Sequence, residues 1–239
     1  QDDAWQELND WLQSCGSRHA LTGDVDVVEL REHLFGLTEL DLFNKNLTSL
    51  PESIERLIGL TKLSLWNNNL TILPESIGNL IGLTSLDLSG NNLIELPSSI
   101  EKLTSLATLE LRYCNLEHVP TVLNRLTGLV DLHLQENFIY HVPSIIGEYR
   151  QLKTFNFQWN QLTAIPDSVA NLTRLESIWC MSNQLTSLPS EIVNTSTLTC
   201  LSVSENCLTS LPDNIGNLTG LTELDVYQNN LTQLPSSIG

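Results

Sequence analysis

Proline occurs at one interval in this chain and nowhere else. Pro51, Pro74, Pro97, Pro120, Pro143, Pro166, Pro189, Pro212 and Pro235 each stand 23 residues from the next. A fixed period over most of a chain means one structural element stacked on copies of itself. Each copy opens on a leucine, Leu37 through Leu221. Counted from it, position four is apolar and so is position six (Leu42, Leu65, Leu88, Leu111, Leu134, Phe157, Cys180, Val203, Val226). A spacing of two is strand periodicity and sends both side chains to one face. Position nine is Asn in every copy except at Lys45 and Cys114. Apolar residues follow at eleven and fourteen, then Pro, then Ile and usually Leu. Each copy therefore reads as a short strand, a turn at the Asn, and a helical or 3₁₀ return starting near the Pro. Proline has a fixed φ and no N–H, which suits a first turn. The buried Asn reads as scaffold, because its amide needs partners that the backbone of adjacent turns can supply.

The wording LxxLxLxxNxLxxLPxxIxxLxx resembles the leucine-rich repeat, over all but the first 36 residues. The resemblance implies an α/β repeat: a right-handed leucine-rich-repeat solenoid, with a parallel sheet on its concave wall. Residues 37–239 are assigned to nine repeats, the last incomplete. Residues 1–36 are assigned to a helical N-terminal cap. There Ala4, Trp5, Leu8, Trp11, Leu12 and Cys15 recur at helical spacing, Gly16 is a helix stop, and a second apolar segment follows at Val25, Val27, Val28, Leu30 and Leu34. The first strand of a solenoid exposes its edge unless something covers it, so Trp5 and Trp11 are assigned to packing. The chain opens at Gln1 without Met, which reads as a trimmed fragment with no signal peptide present.

Composition narrows the partners. The formal charge of −17 disfavours nucleic acid and anionic membrane and favours a basic protein surface. No apolar run reaches the roughly 18 residues that span a bilayer. Five cysteines, odd in number and without flanking clusters, suit a reducing compartment such as cytosol. Six N-x-[ST] sites (Asn46, Asn69, Asn171, Asn194, Asn217, Asn230) mostly arise from the repeat's own wording and carry little evidence of glycosylation.

Between the fixed leucines, positions three, five, seven and eight are read as facing outward on the concave wall, with position ten at the rim. Nine residues there are acidic: Glu39, Asp41, Asp87, Glu110, Asp131, Glu136, Glu205, Glu223 and Asp225. Only Lys62 and Arg112 are basic. Large aromatics share the wall, and Trp, Tyr and Arg are the types that anchor protein interfaces. The expected partner site comprises Trp66 together with Glu110, Arg112, Tyr113, Asp131, His133, Glu136, Trp159, Trp179 and Met181. The nine from Glu110 to Met181 fall in repeats four to seven, roughly 15 Å across at ~4.8 Å per strand.

No catalytic motif is visible: no phosphate-cradling loop, no HExxH, no CxxC. Cys200 and His133 share a face but lie three strands apart, ~14 Å, where a nucleophile and base need ~3 Å. His118 and His141 occupy one slot in adjacent repeats and read as solvated surface residues. No cofactor or metal is called for. The repeat wording also resembles intracellular scaffolds of the scribble and plant Ras-group-related kind. The near-identical LTxLPxSIGNLTGLTxLDL copies resemble leucine-rich-repeat effectors of intracellular bacterial pathogens. This implies a non-catalytic module, monomeric when unbound, holding one protein in the cytoplasm (host cytosol for an effector) and redirecting or inhibiting it. The alternatives are a substrate-recruiting domain of a larger enzyme such as a ubiquitin ligase, and a structural or adhesive surface repeat.

Overall fold

A computed structural model describes residues 2–23 and 26–238. Val25 of the second apolar segment lies outside the described residues, as do Gln1, Asp24 and Gly239. The chain forms two bodies, residues 1–110 and residues 111–239.

The N-terminal body opens with α1 (Asp2–Ser14) and α2 (Val27–Phe35). Gly16 ends α1 in the left-handed region, at φ 65°. There the N–H groups of Gly16 and Ser17 donate to Gln13 O and Leu12 O, both at 2.9 Å, and satisfy the last carbonyls of the helix. The Asp26 carboxylate caps α2 by accepting from the Val28 N–H at 3.0 Å. Trp5, Leu8 and Leu12 of α1 and Leu30 and Leu34 of α2 are buried, and α1 packs on α2 and on the first return segment. Trp11 is only half-buried.

The strands are three residues long and occupy positions three to five. In this body they are β1 (Glu39–Asp41), β2 (Lys62–Ser64), β3 (Ser85–Asp87) and β4 (Thr108–Glu110). They pair in parallel with no register slip, so Asp41, Ser64, Asp87 and Glu110 stand in one row. The C-terminal body repeats the plan with β5 (Asp131–His133), β6 (Thr154–Asn156), β7 (Ser177–Trp179), β8 (Cys200–Ser202) and β9 (Glu223–Asp225). Their parallel register places His133, Asn156, Trp179, Ser202 and Asp225 in one row. After each proline the return is 3₁₀, as in Glu52–Arg56, and the Pro51 carbonyl accepts from the Ile54 N–H at 3.1 Å. Proline is thus the residue just before the 3₁₀ segment rather than its first helical residue, except after Pro212, where that place falls to Asn214.

The position-nine asparagines hold the turns. Asn183 shows the pattern: its Nδ2 donates to Phe157 O at 2.8 Å and Cys180 O at 3.1 Å, while its Oδ1 accepts from the Leu162 N–H at 2.9 Å. Asn68, Asn91, Asn137, Asn160 and Asn206 are buried in the same arrangement. The two exceptions have physical answers. Lys45 stands in the first repeat, which has no earlier repeat to bond, and its Nζ reaches back to Gly16 O at 2.9 Å, tying α1 to the array. At Cys114 the thiol donates weakly to Arg112 O at 3.3 Å. Both sites distort the backbone: Asn46 and Asn115, at position ten, have φ of 55° and 58°, whereas position ten in the other repeats is not left-handed among the described residues.

Larger side chains rework one stretch of the C-terminal core. Phe155 and Phe157 replace leucines, with ring centroids 4.5 Å apart, and the Tyr149 hydroxyl donates to Leu123 O at 2.6 Å. Burial pushes the Tyr149 pKa up to about 12. Tight backbone packing joins neighbouring returns. A Cβ on Gly147 would lie 2.7 Å from Ser168 O and 2.9 Å from its Cβ. Gly147→Ala is therefore expected to destabilise the C-terminal body by about 1–3 kcal/mol in urea unfolding. Gly82, whose Cβ would meet its nearest atom at 3.3 Å, is the milder control.

Candidate functional site

One backbone feature recurs at position eight, just past every strand. Asn44, Asn67, Gly90, Tyr113, Glu136, Trp159, Ser182, Glu205 and Gln228 all have φ between 49° and 64°. The sequence reading placed position eight on the strand wall. The structure corrects this: the strand stops at position five, and position eight is a left-handed turn residue. The ladder imposes that geometry, since the Trp159 N–H donates to Met181 O at 3.0 Å and the Glu136 N–H to Gln158 O at 2.9 Å. Glycine and asparagine adopt it cheaply; other L-residues crowd Cβ against the following carbonyl, at roughly 1–2 kcal/mol. The N-terminal body uses Asn, Asn and Gly. The C-terminal body uses Tyr, Glu, Trp, Ser, Glu and Gln, so it carries the strain repeatedly.

Position seven needs a second correction. Ser89, Gln135 and Ser204 are buried rather than open to solvent. Gln135 carries information the sequence reading passed over: its Oε1 is buried with no hydrogen-bond partner among the described residues. A buried amide oxygen left unmet costs about 1–3 kcal/mol.

Of the expected site residues, eight lie in the C-terminal body. Asp131 and His133 stand on β5 and Trp179 on β7, all half-buried, with Asn156 of β6 between His133 and Trp179 in register. Arg112 and Tyr113 form the turn beside Gln135 and Glu136, Tyr113 N–H meeting Gln135 O at 3.4 Å. A hydrogen bond from the Tyr113 hydroxyl to the Glu136 carboxylate, the largest cause, holds the Tyr113 pKa above its usual value. Met181 is half-buried, while Tyr113 and Trp159 remain 56% and 46% exposed. Exposed aromatic surface held by a rigid turn is ready to be covered. Trp66 and Glu110 belong to the N-terminal body, where Trp66 stacks on Phe43 with centroids 4.6 Å apart.

The residues tested for catalysis stay apart. Cys200 and His133 are separated by β6 and β7, and burial raises the Cys200 pKa to about 11, away from reactivity. His118 packs edge-on against Tyr140 at 4.9 Å. Among the described residues, no group of His, Cys, Asp or Glu could hold a metal, and no helix is long and apolar enough to cross a membrane.

Comparison with known proteins agrees with the repeat geometry. A leucine-rich repeat region model matches residues 75–156 and 141–239, and a leucine rich repeat model matches residues 35–93. No curated protein matches the chain. Among solved structures, a leucine-rich-repeat protein of Leptospira interrogans is similar at 35% identity and TM-score 0.84, over 87% of this chain and 53% of that one. The chain thus spans about half of that protein's length. Internalin C2 of Listeria monocytogenes is similar at 25% identity and TM-score 0.72, over 97% of this chain and 91% of that one. A TDR receptor is similar at 31% identity and TM-score 0.75, over 84% of this chain and 36% of that one.

Proposed function

The chain belongs to the leucine-rich-repeat family, and from that premise we propose that the strand face of its C-terminal body holds one protein partner without catalysis of its own. Leucine-rich repeats commonly mediate protein–protein contact. The observation that carries the reading is the choice of residues at position eight. Strain of this kind persists where something other than stability is selected. Two of the strained residues, Tyr113 and Trp159, are also half-exposed aromatics. Trp179, Met181, His133 and Asp131 extend the surface along the strands. Acidic residues outnumber Arg112 on this face, so the partner presents a basic patch, and charge steers its approach. The likeness to Leptospira and Listeria proteins supports a bacterial setting. There the protein acts as a monomeric effector in host cytosol that redirects or inhibits its partner.

Affinity capture with the wild-type chain and with a Tyr113→Ala/Trp179→Ala variant tests this. One protein is expected on the wild type, lost on the variant, kept on an Ile81→Ala control, and released progressively as salt rises. A protein retained equally by the double variant overturns the placement. Loss on the Ile81→Ala control points to the return side instead.

A further inference from the structure

The strand face of the N-terminal body has its own recess, a cavity of about 300 Å³. Its charged lining is Arg18, Glu39, Asp41, Lys62, Asp87 and Glu110. These charges are unevenly matched. Lys62 pairs with Glu39 at 2.7 Å, and Arg18 also acts on Glu39, whose pKa is lowered chiefly by the hydrogen bond from Lys62. Both cations therefore gather at the Glu39 end. At the other end no salt bridge reaches Asp41 or Asp87 among the described residues, although Asp41 acts through space on His19. Each uses Oδ1 to accept a turn N–H, from Phe43 at 3.0 Å and from Ser89 at 2.9 Å. The second oxygen of each is left to accept. Between them in register stands Ser64, whose short side chain leaves open the space between β1 and β3, whose backbones lie roughly 10 Å apart. Two positions beyond the ends of β1 and β2, Phe43 and Trp66 stack at an interplanar angle of 28° and stay 41% and 46% exposed.

We propose that this recess takes an arginine side chain from an extended segment of a protein partner. A guanidinium seated over Ser64 presents N–H edges to both carboxylates, while the flat group and its stem lie against the Trp66–Phe43 platform. Lysine fits less well, because an ammonium is a compact, strongly hydrated point that neither stacks nor presents a planar fork of N–H edges to two carboxylates. The proposal rests on the reading of the strand faces as partner surfaces, but it lies wholly within residues 1–110.

The test is an NMR titration of the ¹⁵N-labelled chain with blocked Gly-Arg-Gly, Gly-Lys-Gly and Gly-citrulline-Gly peptides, reading the indole N–H signals. The Trp66 signal is expected to move saturably with the arginine peptide. Lysine should bind at least about fivefold more weakly, and citrulline, isosteric but uncharged, should leave the signal still. Asp87→Asn and Asp41→Asn should each weaken arginine binding about tenfold, and 0.5 M salt should abolish it. No movement at Trp66, or equal movement with citrulline, overturns the proposal. Movement at Trp159 or Trp179 alone also overturns it and leaves the C-terminal face standing.

Discussion

Asn183→Leu is expected to lower the stability of the C-terminal body by about 1–5 kcal/mol, although the new side chain is apolar and of similar size. Four backbone groups lose a hydrogen bond, but Phe157 O keeps Asn160 Nδ2 at 3.2 Å, Cys180 O keeps Asn206 Nδ2 at 2.9 Å and Met181 O keeps the Trp159 N–H at 3.0 Å, so the Leu162 N–H is the one left orphaned. The buried orphan costs about 1–3 kcal/mol, and each bond lost from a carbonyl that keeps another donor about 0.5–1.5 kcal/mol. Leucine regains at most about 2 kcal/mol by its own burial. The polar side chain is therefore worth as much as a core leucine, for which truncation of Leu185 to Ala gives the scale at about 2–5 kcal/mol. The repeats without this asparagine show what its loss demands. At Lys45 and Cys114 the next residue has moved into the left-handed region, and in both cases that residue is asparagine, which tolerates it. Asn183 is followed by Gln184, which has no such ease, so the backbone cannot adapt in the same way. Urea unfolding followed by circular dichroism measures the difference. A cost below about 1 kcal/mol would mean that stacked leucines alone hold the turns.

The period made most of this fold legible before any coordinate. Nine prolines and the leucine columns fix the strand, turn and return of each repeat, because each copy must bury the same face against the next. The position-nine asparagine was legible too, as a polar residue in an apolar column that must be paying its way in hydrogen bonds. Position eight was not. Alternation along a strand assigns a face to every residue, but it does not say where the strand stops. The three-residue strands end before position eight, and only the φ angles reveal that Tyr113 and Trp159 sit in turns. Asn44, Asn67 and Gly90 held the clue, since all three are residue types that favour the left-handed region. The six that follow share the geometry without sharing the chemistry, which hid the rule. Gln135 was hidden for a related reason: its period assigned it an outward place, and nothing in the repeat wording marks it as buried. Lys45 looked like a defect in the pattern until Gly16 supplied its partner.

Trp159→Gly is expected to separate binding from stability. Glycine removes the left-handed penalty of roughly 1–2 kcal/mol but enters with an unfolded-state entropy cost of about 0.5–1 kcal/mol. The lost indole contacts offset part of the remainder, since Trp159 is 46% exposed and has little to lose. Folding stability should stay within about 1 kcal/mol of the wild type. Partner affinity should fall by at least about 2 kcal/mol, roughly thirtyfold, if this indole anchors the interface. Trp159→Ala sharpens the comparison. It loses the same indole and keeps the backbone penalty, so it should bind as weakly as the glycine variant yet fold less stably than it by about 1 kcal/mol. Asn67→Gly, at the same position in the N-terminal body, should change stability by only a few tenths of a kcal/mol, because asparagine already tolerates this φ. The decisive pattern is Gly more stable than Ala at 159, with both defective in calorimetric titration against the captured partner. If both variants bind like wild type, the tryptophan is a strained residue without a partner, and the binding face must be sought away from position eight.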